Sequence, residues 1–151
     1  MEPLAKITFQ INPDDNAGIR SESIWAEPLG DARYRLHNVP FYVREVSLGD
    51  TVLAKEHEGV ILVEKVLERG GHSTYRVFLC DGLDMKSDAF RIAWKDIRAL
   101  GCTFENANGR WFAVDVPPEA DADSAYELLE RGEADGVWTF EEGHCGHPTT
   151  N

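Results

Sequence analysis

The chain has 151 residues, of which 42% are hydrophobic and 28% are charged. This composition is ordinary for a folded soluble protein and excludes an intrinsically disordered chain. Twenty-seven acidic residues against 15 basic ones give a formal net charge of −12, which opposes binding to nucleic acid or anionic membranes and favours a basic partner. The chain contains no apolar run long enough to span a bilayer and no signal-peptide pattern at its start. Its three cysteines do not form a disulfide framework, so we expect a cytoplasmic protein.

The first part of the chain has the pattern of short strands joined by tight turns. Residues 6–11 alternate apolar and polar side chains. Residues 22–36 predict a hairpin that turns around Gly30-Asp31, residues 41–46 predict another strand, and residues 51–67 predict a second hairpin. Together these strands predict a small β-barrel or rolled antiparallel sheet over residues 1–69.

The second part predicts the order strand, helix, strand, strand, helix, strand. The strands are expected at residues 73–80, 102–106, 111–116 and 137–140, and the helices at residues 87–100 and 123–131. This order is typical of the ferredoxin-like (βαββαβ) topology, which we assign to residues 70–143. The predicted class is therefore α+β, with residues 144–151 as a flexible tail.

No motif predicts catalysis, a cofactor or a metal. The run His144-Cys145-Gly146-His147 offers three soft ligands, but the second ligand cluster of a structural zinc site is missing. His72 and Ser73 are neighbours on a predicted strand, so their side chains should point to opposite faces and not share a proton. Glycine-rich phosphate-binding loops are absent from the sequence.

The acidic residues are concentrated near the end of the chain. Ten of them lie between Asp115 and Glu142, where Arg131 is the only base. Trp138 adjoins this segment, and an exposed aromatic ring among carboxylates is typical of a binding hot spot. The alternatives are a buried sheet tryptophan and a merely solvated helix face. We predict a partner-binding surface made of Glu127, Glu130, Glu133, Asp135, Trp138, Glu141 and Glu142, with Glu27 and Asp31 as a weaker second patch.

Several motifs resemble a bacterial family known only as a domain of unknown function. The stretch from Ser21 to Asp31 (S-E-S-I-W-A-E-P-L-G-D) carries most of the likeness. It continues through Asn38-Val39-Pro40-Phe41, Ser47-Leu48-Gly49-Asp50, Gly71-His72-Ser73-Thr74, Leu100-Gly101-Cys102 and residues 133–138. The resemblance implies a small stand-alone cytoplasmic protein and supplies no catalytic residues.

These features favour a non-enzymatic binding protein. The specific hypothesis is an immunity protein that neutralises a bacterial toxin acting on nucleic acids or nucleotides, by occluding its basic active-site cleft. The expected partner is a basic protein, with no nucleic acid and no membrane. The alternative is a small-molecule-sensing regulatory domain with a cleft near His72, and a third possibility is an enzyme that uses His72 with a nearby carboxylate.

Overall fold

The structure is a computed structural model that describes residues 3–14 and 18–148. Within these residues the fold is α+β, with nine strands and two helices in two sheets. Neither helix of the described part is long and apolar enough to cross a membrane. The first sheet contains β1 (Ala5–Gln10), β2 (Ser21–Gly30), β3 (Arg33–Leu36), β4 (Thr51–His57) and β5 (Val60–Glu68).

The five strands of the first sheet form a ring. Consecutive strands pair antiparallel, and β1 returns to β5 through a parallel contact in which Thr8 lies opposite Leu62. Alternate side chains point inward, as the period of two requires. The buried interior consists of Ile7, Phe9, Ile24, Ala26, Leu36, Val46 and Val52. The turn between β2 and β3 places Asp31 and Ala32 at φ values of 56° and 61°, which the hairpin connection requires.

The strand predicted at residues 41–46 does not form. The carboxylate of Glu22 accepts hydrogen bonds from three consecutive backbone amides, those of Phe41 (2.7 Å), Tyr42 (3.0 Å) and Val43 (2.9 Å). In a strand, successive amides point in opposite directions, so three neighbours cannot all face one carboxylate. Residues 37–50 are therefore a long connection without a strand, which we call the connecting loop.

The second sheet has helices on one face only. It contains β6 (Ser73–Leu79), β7 (Thr103–Asn106), β8 (Trp111–Val116) and β9 (Trp138–His144), in the order β7-β8-β6-β9. The helices are α1 (Asp88–Ala99) and α2 (Ala122–Ala134). Their buried faces cover an apolar core that includes Val77, Phe90, Ile97, Phe112 and Leu129. Because this core and that of the ring are separate, each sheet has its own apolar interior.

The two helices begin differently. Asp121 caps α2, since its carboxylate accepts from the amides of Asp123 and Ser124. These bonds, the one from Ser124 above all, hold the pKa of Asp121 below its usual value. Ser87 precedes α1 as predicted, but its side chain makes no capping bond and accepts instead from the amide of Asp84. The side-chain cap of Asp121 therefore fixes the residue at which α2 begins.

Close packing of α2 on β9 depends on Gly132. A methyl group built on Gly132 would lie 2.3 Å from the ring of Trp138, which is only 1% exposed. The indole N–H of Trp138 also donates to the carbonyl of Leu129 at 2.9 Å. The ring consequently cannot move aside without losing a buried hydrogen bond.

We predict that Gly132→Ala destabilises the protein, although alanine is the better helix former by about 1 kcal/mol. Overpacking against Trp138 should outweigh that gain and lower the free energy of unfolding by about 2 kcal/mol. Urea denaturation measures the effect, and Glu133→Ala at the exposed neighbouring position should change it by less than about 0.5 kcal/mol. An unchanged or more stable Gly132→Ala variant would show that the ring has room to shift.

Candidate functional site

The strand register separates the two final glutamates of the acidic segment. Glu141 lies opposite Arg76 on β6, and Glu142 lies opposite Tyr75. Because neighbouring residues of a strand point to opposite faces of the sheet, their carboxylates cannot belong to one surface. Glu142 faces the helices, and Glu141 faces the connecting loop.

Glu141 is paired with bases on the loop side of the sheet. Its carboxylate lies 3.6 Å from the guanidinium of Arg44 and 4.0 Å from that of Arg76. Arg44 belongs to the connecting loop, so this acid links the two halves of the chain. The predicted surface that contained both Glu141 and Glu142 is therefore divided between the two faces of the second sheet by the alternation of β9.

On the helix side, acidic side chains gather along one groove. The groove has a volume of about 450 Å³ and is lined by Glu127 and Glu130 of α2, by Glu142 of β9, and by Tyr126. Asp123, Tyr75, Cys145, His147 and Pro148 complete its lining. We call this the acidic groove. Among the ion pairs of the described residues, none involves Glu127, Glu130 or Glu142.

Two tyrosine rings, those of Tyr75 and Tyr126, line the acidic groove. Tyr126 is 41% exposed, and its ring packs edge-on against Phe140 at 5.6 Å. Tyr75 is buried beside it, and its hydroxyl donates to Glu142 at 3.4 Å. Burial, with the negative charge of Glu142 adding to it, raises the pKa of Tyr75. The groove thus combines apolar surface with carboxylates, which suits a cationic side chain with an aliphatic stem.

The remaining predicted contact residues lie elsewhere. Glu133 is exposed on α2 but does not line the acidic groove, and Asp135 lines a separate groove of about 380 Å³ between the helices, with Arg131 and Asp96. Glu27 pairs with Arg35 at 3.5 Å. Asp31 is exposed in the turn between β2 and β3. These carboxylates are distributed over several parts of the surface.

Trp138 does not belong to an exposed surface. It is buried against α2, which matches the alternative of a buried sheet aromatic. Its place at the start of β9 puts it opposite Leu79 on the helix-covered face. A partner could reach this ring only by displacing α2, so the exposure on which the predicted role of Trp138 depended is absent.

The other face of the second sheet packs against the connecting loop through polar groups. Glu105 of β7 accepts hydrogen bonds from the side chain of Asn38 (3.1 Å) and from the amide of Val39. Arg76 of β6 is 1% exposed and donates to the carbonyl of Val43 at 2.5 Å. The buried guanidinium and the carboxylate of Glu105 hold the two ends of the segment 38–43 on the sheet.

A second set of polar contacts surrounds the start of β6. His72 bonds Asp115 at 2.8 Å, whereas Ser73 bonds His147 at 2.6 Å. The two neighbours therefore have different partners, on opposite sides of the strand. Ser47 of the connecting loop bonds both Thr74 (2.6 Å) and the ring of His144 (3.0 Å). We call these residues the polar junction.

The end of the described chain takes part in this junction. The predicted flexible tail was to begin at residue 144, but β9 continues through His144, which is 8% exposed. His147 uses both ring nitrogens, bonding Ser73 and, at 2.9 Å, the carbonyl of Pro117. The sequence did not reveal these contacts because their partners are about 30 and 74 residues away. Among residues 3–14 and 18–148, no three His, Cys, Asp or Glu side chains are grouped as a metal ion would require.

Sequence reasoning missed several buried or half-buried charges, among them Glu22, Arg76 and Glu105. Arg76 could have been recognised, because it interrupts the otherwise uncharged strand of residues 73–80. A charge within such a strand requires compensation when it is buried. The identity of its neighbours could not be deduced, because it depends on how the connecting loop folds.

The pH dependence of stability should reveal the contact between His72 and Asp115. The hydrogen bond to Asp115 raises the pKa of His72 above its ordinary value of 6.5, against the opposing effect of burial. The contribution of the contact between His72 and Asp115 to stability is thus fully present below pH 6.5. It is lost as the pH rises through the folded-state pKa of His72. The difference in unfolding free energy between the wild type and His72→Gln should shrink with rising pH.

An internal control has the opposite sign. Burial, and then the positive charge of Arg69, lower the pKa of His144 below its ordinary value of 6.5. The stability of the wild type relative to His144→Gln should therefore increase as the pH rises from that lowered pKa to about 6.5. Urea titrations between about pH 5 and about pH 8.5 measure both differences. A His72 difference that stays constant or grows with pH would contradict the raised pKa.

Comparisons with known proteins agree with the fold and identify a family. The family described as DUF4265, a domain of unknown function, matches residues 22–140. A crystal structure of a hypothetical protein from Neisseria gonorrhoeae is similar, with a TM-score of 0.76 and 16% sequence identity over 99% of each chain. At this identity the likeness concerns the fold alone. No curated protein matches the sequence.

Proposed function

The chain belongs to the DUF4265 family, and on the geometry described above we propose that it is a non-enzymatic protein that binds a basic protein partner. The specific form of the proposal is a cytoplasmic immunity protein that occludes the cationic cleft of a toxin acting on nucleic acids or nucleotides. Such a cleft must attract phosphate groups, so it presents arginine and lysine side chains that a carboxylate surface can bind. The partner is therefore a protein and not a nucleic acid or a membrane.

The observation that carries the proposal is the acidic groove. Glu127, Glu130 and Glu142 come from two elements and line one groove, and none of the ion pairs among the described residues involves them. Like charges that line the same groove repel one another and reduce the stability of the fold. A cationic partner would relieve that repulsion, which gives binding a favourable electrostatic contribution.

Long-range attraction supports the same proposal. With a net charge of −12, the chain attracts a basic protein from beyond contact distance, within a screening length of about 8 Å at physiological salt. Electrostatic steering of this kind accelerates association, whereas packing against Tyr126 would slow dissociation. The acidic groove contains both features.

The alternative of a ligand cleft near His72 has less support. The polar groups there already bond one another, His72 with Asp115 and Ser73 with His147. A small-molecule site needs polar groups that are free to bind the ligand. The contacts of the polar junction instead support a structural role for His72.

The finer architecture is part of the proposal. We assign residues 1–69 to a small barrel-like domain, which the ring of β1 to β5 supports. We assign residues 70–143 to a ferredoxin-like domain, supported by the order βαββαβ along the chain and by the sheet order β7-β8-β6-β9.

Neutralising the acidic groove should slow association with the partner. The partner is obtained by affinity capture from the native host, is identified, and is then expressed alone in a heterologous bacterium to test whether it arrests growth. The triple variant Glu127→Gln, Glu130→Gln, Glu142→Gln should reduce the association rate by about tenfold at low salt and flatten its dependence on salt. Stopped-flow fluorescence over a salt titration measures both effects.

The matched control is Glu56→Gln, Glu58→Gln, Glu68→Gln, which removes the same charge from exposed positions of the hairpin formed by β4 and β5. This variant should retain most of the association rate. Equal rates for the two triple variants would remove the acidic groove from the interface. A captured partner that is harmless when expressed alone would contradict the immunity role.

A further inference from the structure

The strand β9 lies at an edge of the second sheet, so within the described part of the chain one side of its backbone has no neighbouring strand. The sheet order is β7-β8-β6-β9, and β9 pairs with β6 alone. The amide of Cys80 donates to the carbonyl of Val137 at 3.0 Å, which shows that residues 137, 139 and 141 direct their backbone groups toward β6. The N–H and C=O groups of Phe140 and Glu142 must therefore point outward.

One end of this edge already receives another segment of the chain. The amide of Glu45, in the connecting loop, donates to the carbonyl of Gly143 at 3.1 Å. Among the hydrogen bonds of the described residues, no comparable bond reaches the outward backbone groups of Phe140 and Glu142. Edges of this kind are the places where an extended segment can add to a sheet.

Two of the exposed side chains along this edge are acidic. Thr139, Glu141 and Glu142 are exposed, and Glu142 continues into the acidic groove with Glu127 and Glu130. A strand added here would place its alternate side chains above the same face as Glu142. Basic residues at those positions could form ion pairs with Glu127, Glu130 and Glu142, whereas neutral residues could not.

We propose that an extended, basic segment of the partner protein adds to β9 as a further strand, with its main chain bonded to Phe140 and Glu142 and its alternate lysine or arginine side chains in the acidic groove. This inference rests on the proposed function and specifies how the partner is recognised. Main-chain hydrogen bonds would supply the alignment, and the carboxylates would select the basic sequence.

A second copy of this chain is the less suitable occupant. Pairing of β9 with β9 would bring Glu141 and Glu142 of one copy close to the same residues of the other. Like charges on neighbouring strands are destabilising, and acidic residues on an edge strand are a common device against self-association. Charge complementarity therefore favours a basic segment over a homodimer.

The test uses a short synthetic peptide of alternating lysine and valine and the full-length, isotope-labelled protein. Hydrogen exchange followed by NMR should show slower exchange, by about tenfold, at the amides of Phe140 and Glu142 when the peptide is bound. The amide of Thr139, which already faces β6, is the internal reference and should change little.

Two N-methylated forms of the peptide, each blocking one alternate set of amides, test the hydrogen-bonding ladder. Methylation of the set that faces β9 should weaken binding by about tenfold, while methylation of the other set should leave the affinity nearly unchanged. Equal effects of the two forms would overturn strand addition, as would absence of binding at about millimolar peptide.

The outcomes also separate this inference from the proposed function. Chemical-shift changes confined to Glu127 and Glu130, without protection of Phe140 and Glu142, would overturn strand addition and leave the acidic groove as the binding surface. The groove itself is tested by the triple glutamine variant against the captured partner, where no peptide is used.

Discussion

The structure depends on burying Arg76 between the second sheet and the connecting loop. A guanidinium that is 1% exposed has lost nearly all its hydration, and this desolvation lowers the pKa of Arg76. The carboxylates of Glu22 and Glu141 offset the loss, and the carbonyl of Val43 accepts a hydrogen bond. Glu22 also binds three amides of the connecting loop. Its carboxylate therefore both compensates the buried charge of Arg76 and fixes the conformation of the loop.

This arrangement divides the acidic residues between the fold and the surface. Glu22, Glu105 and Glu141 face the connecting loop, where they bind amides or arginines. Glu127, Glu130 and Glu142 lie on the opposite side of the sheet, and none of the ion pairs among the described residues involves them. A large net charge thus becomes useful for recognition only where the fold has left carboxylates unpaired.

The sequence predicted local structure well where periodicity dominates. The helix expected at residues 87–100 is observed at Asp88–Ala99, because its apolar stripe has the helical spacing. The strand expected at residues 41–46 is absent, since the distant Glu22 captures its amides. The candidate site was predicted only in part, as Glu127, Glu130 and Glu142 share a groove while Trp138 is buried. Which face a residue occupies depends on register, and register depends on pairings far apart in sequence.

Native-state hydrogen exchange in the wild type and in Glu22→Ala tests most directly whether the buried charges join the two sheets into one cooperative unit. In the wild type, the slowest amides of the ring, such as Ile24, and of the second sheet, such as Val77, should open with the same free energy. In Glu22→Ala the ring amides should exchange at a lower opening free energy than those of the second sheet. Different opening free energies for the two sheets in the wild type, or equal ones in Glu22→Ala, would contradict this role of the buried charges.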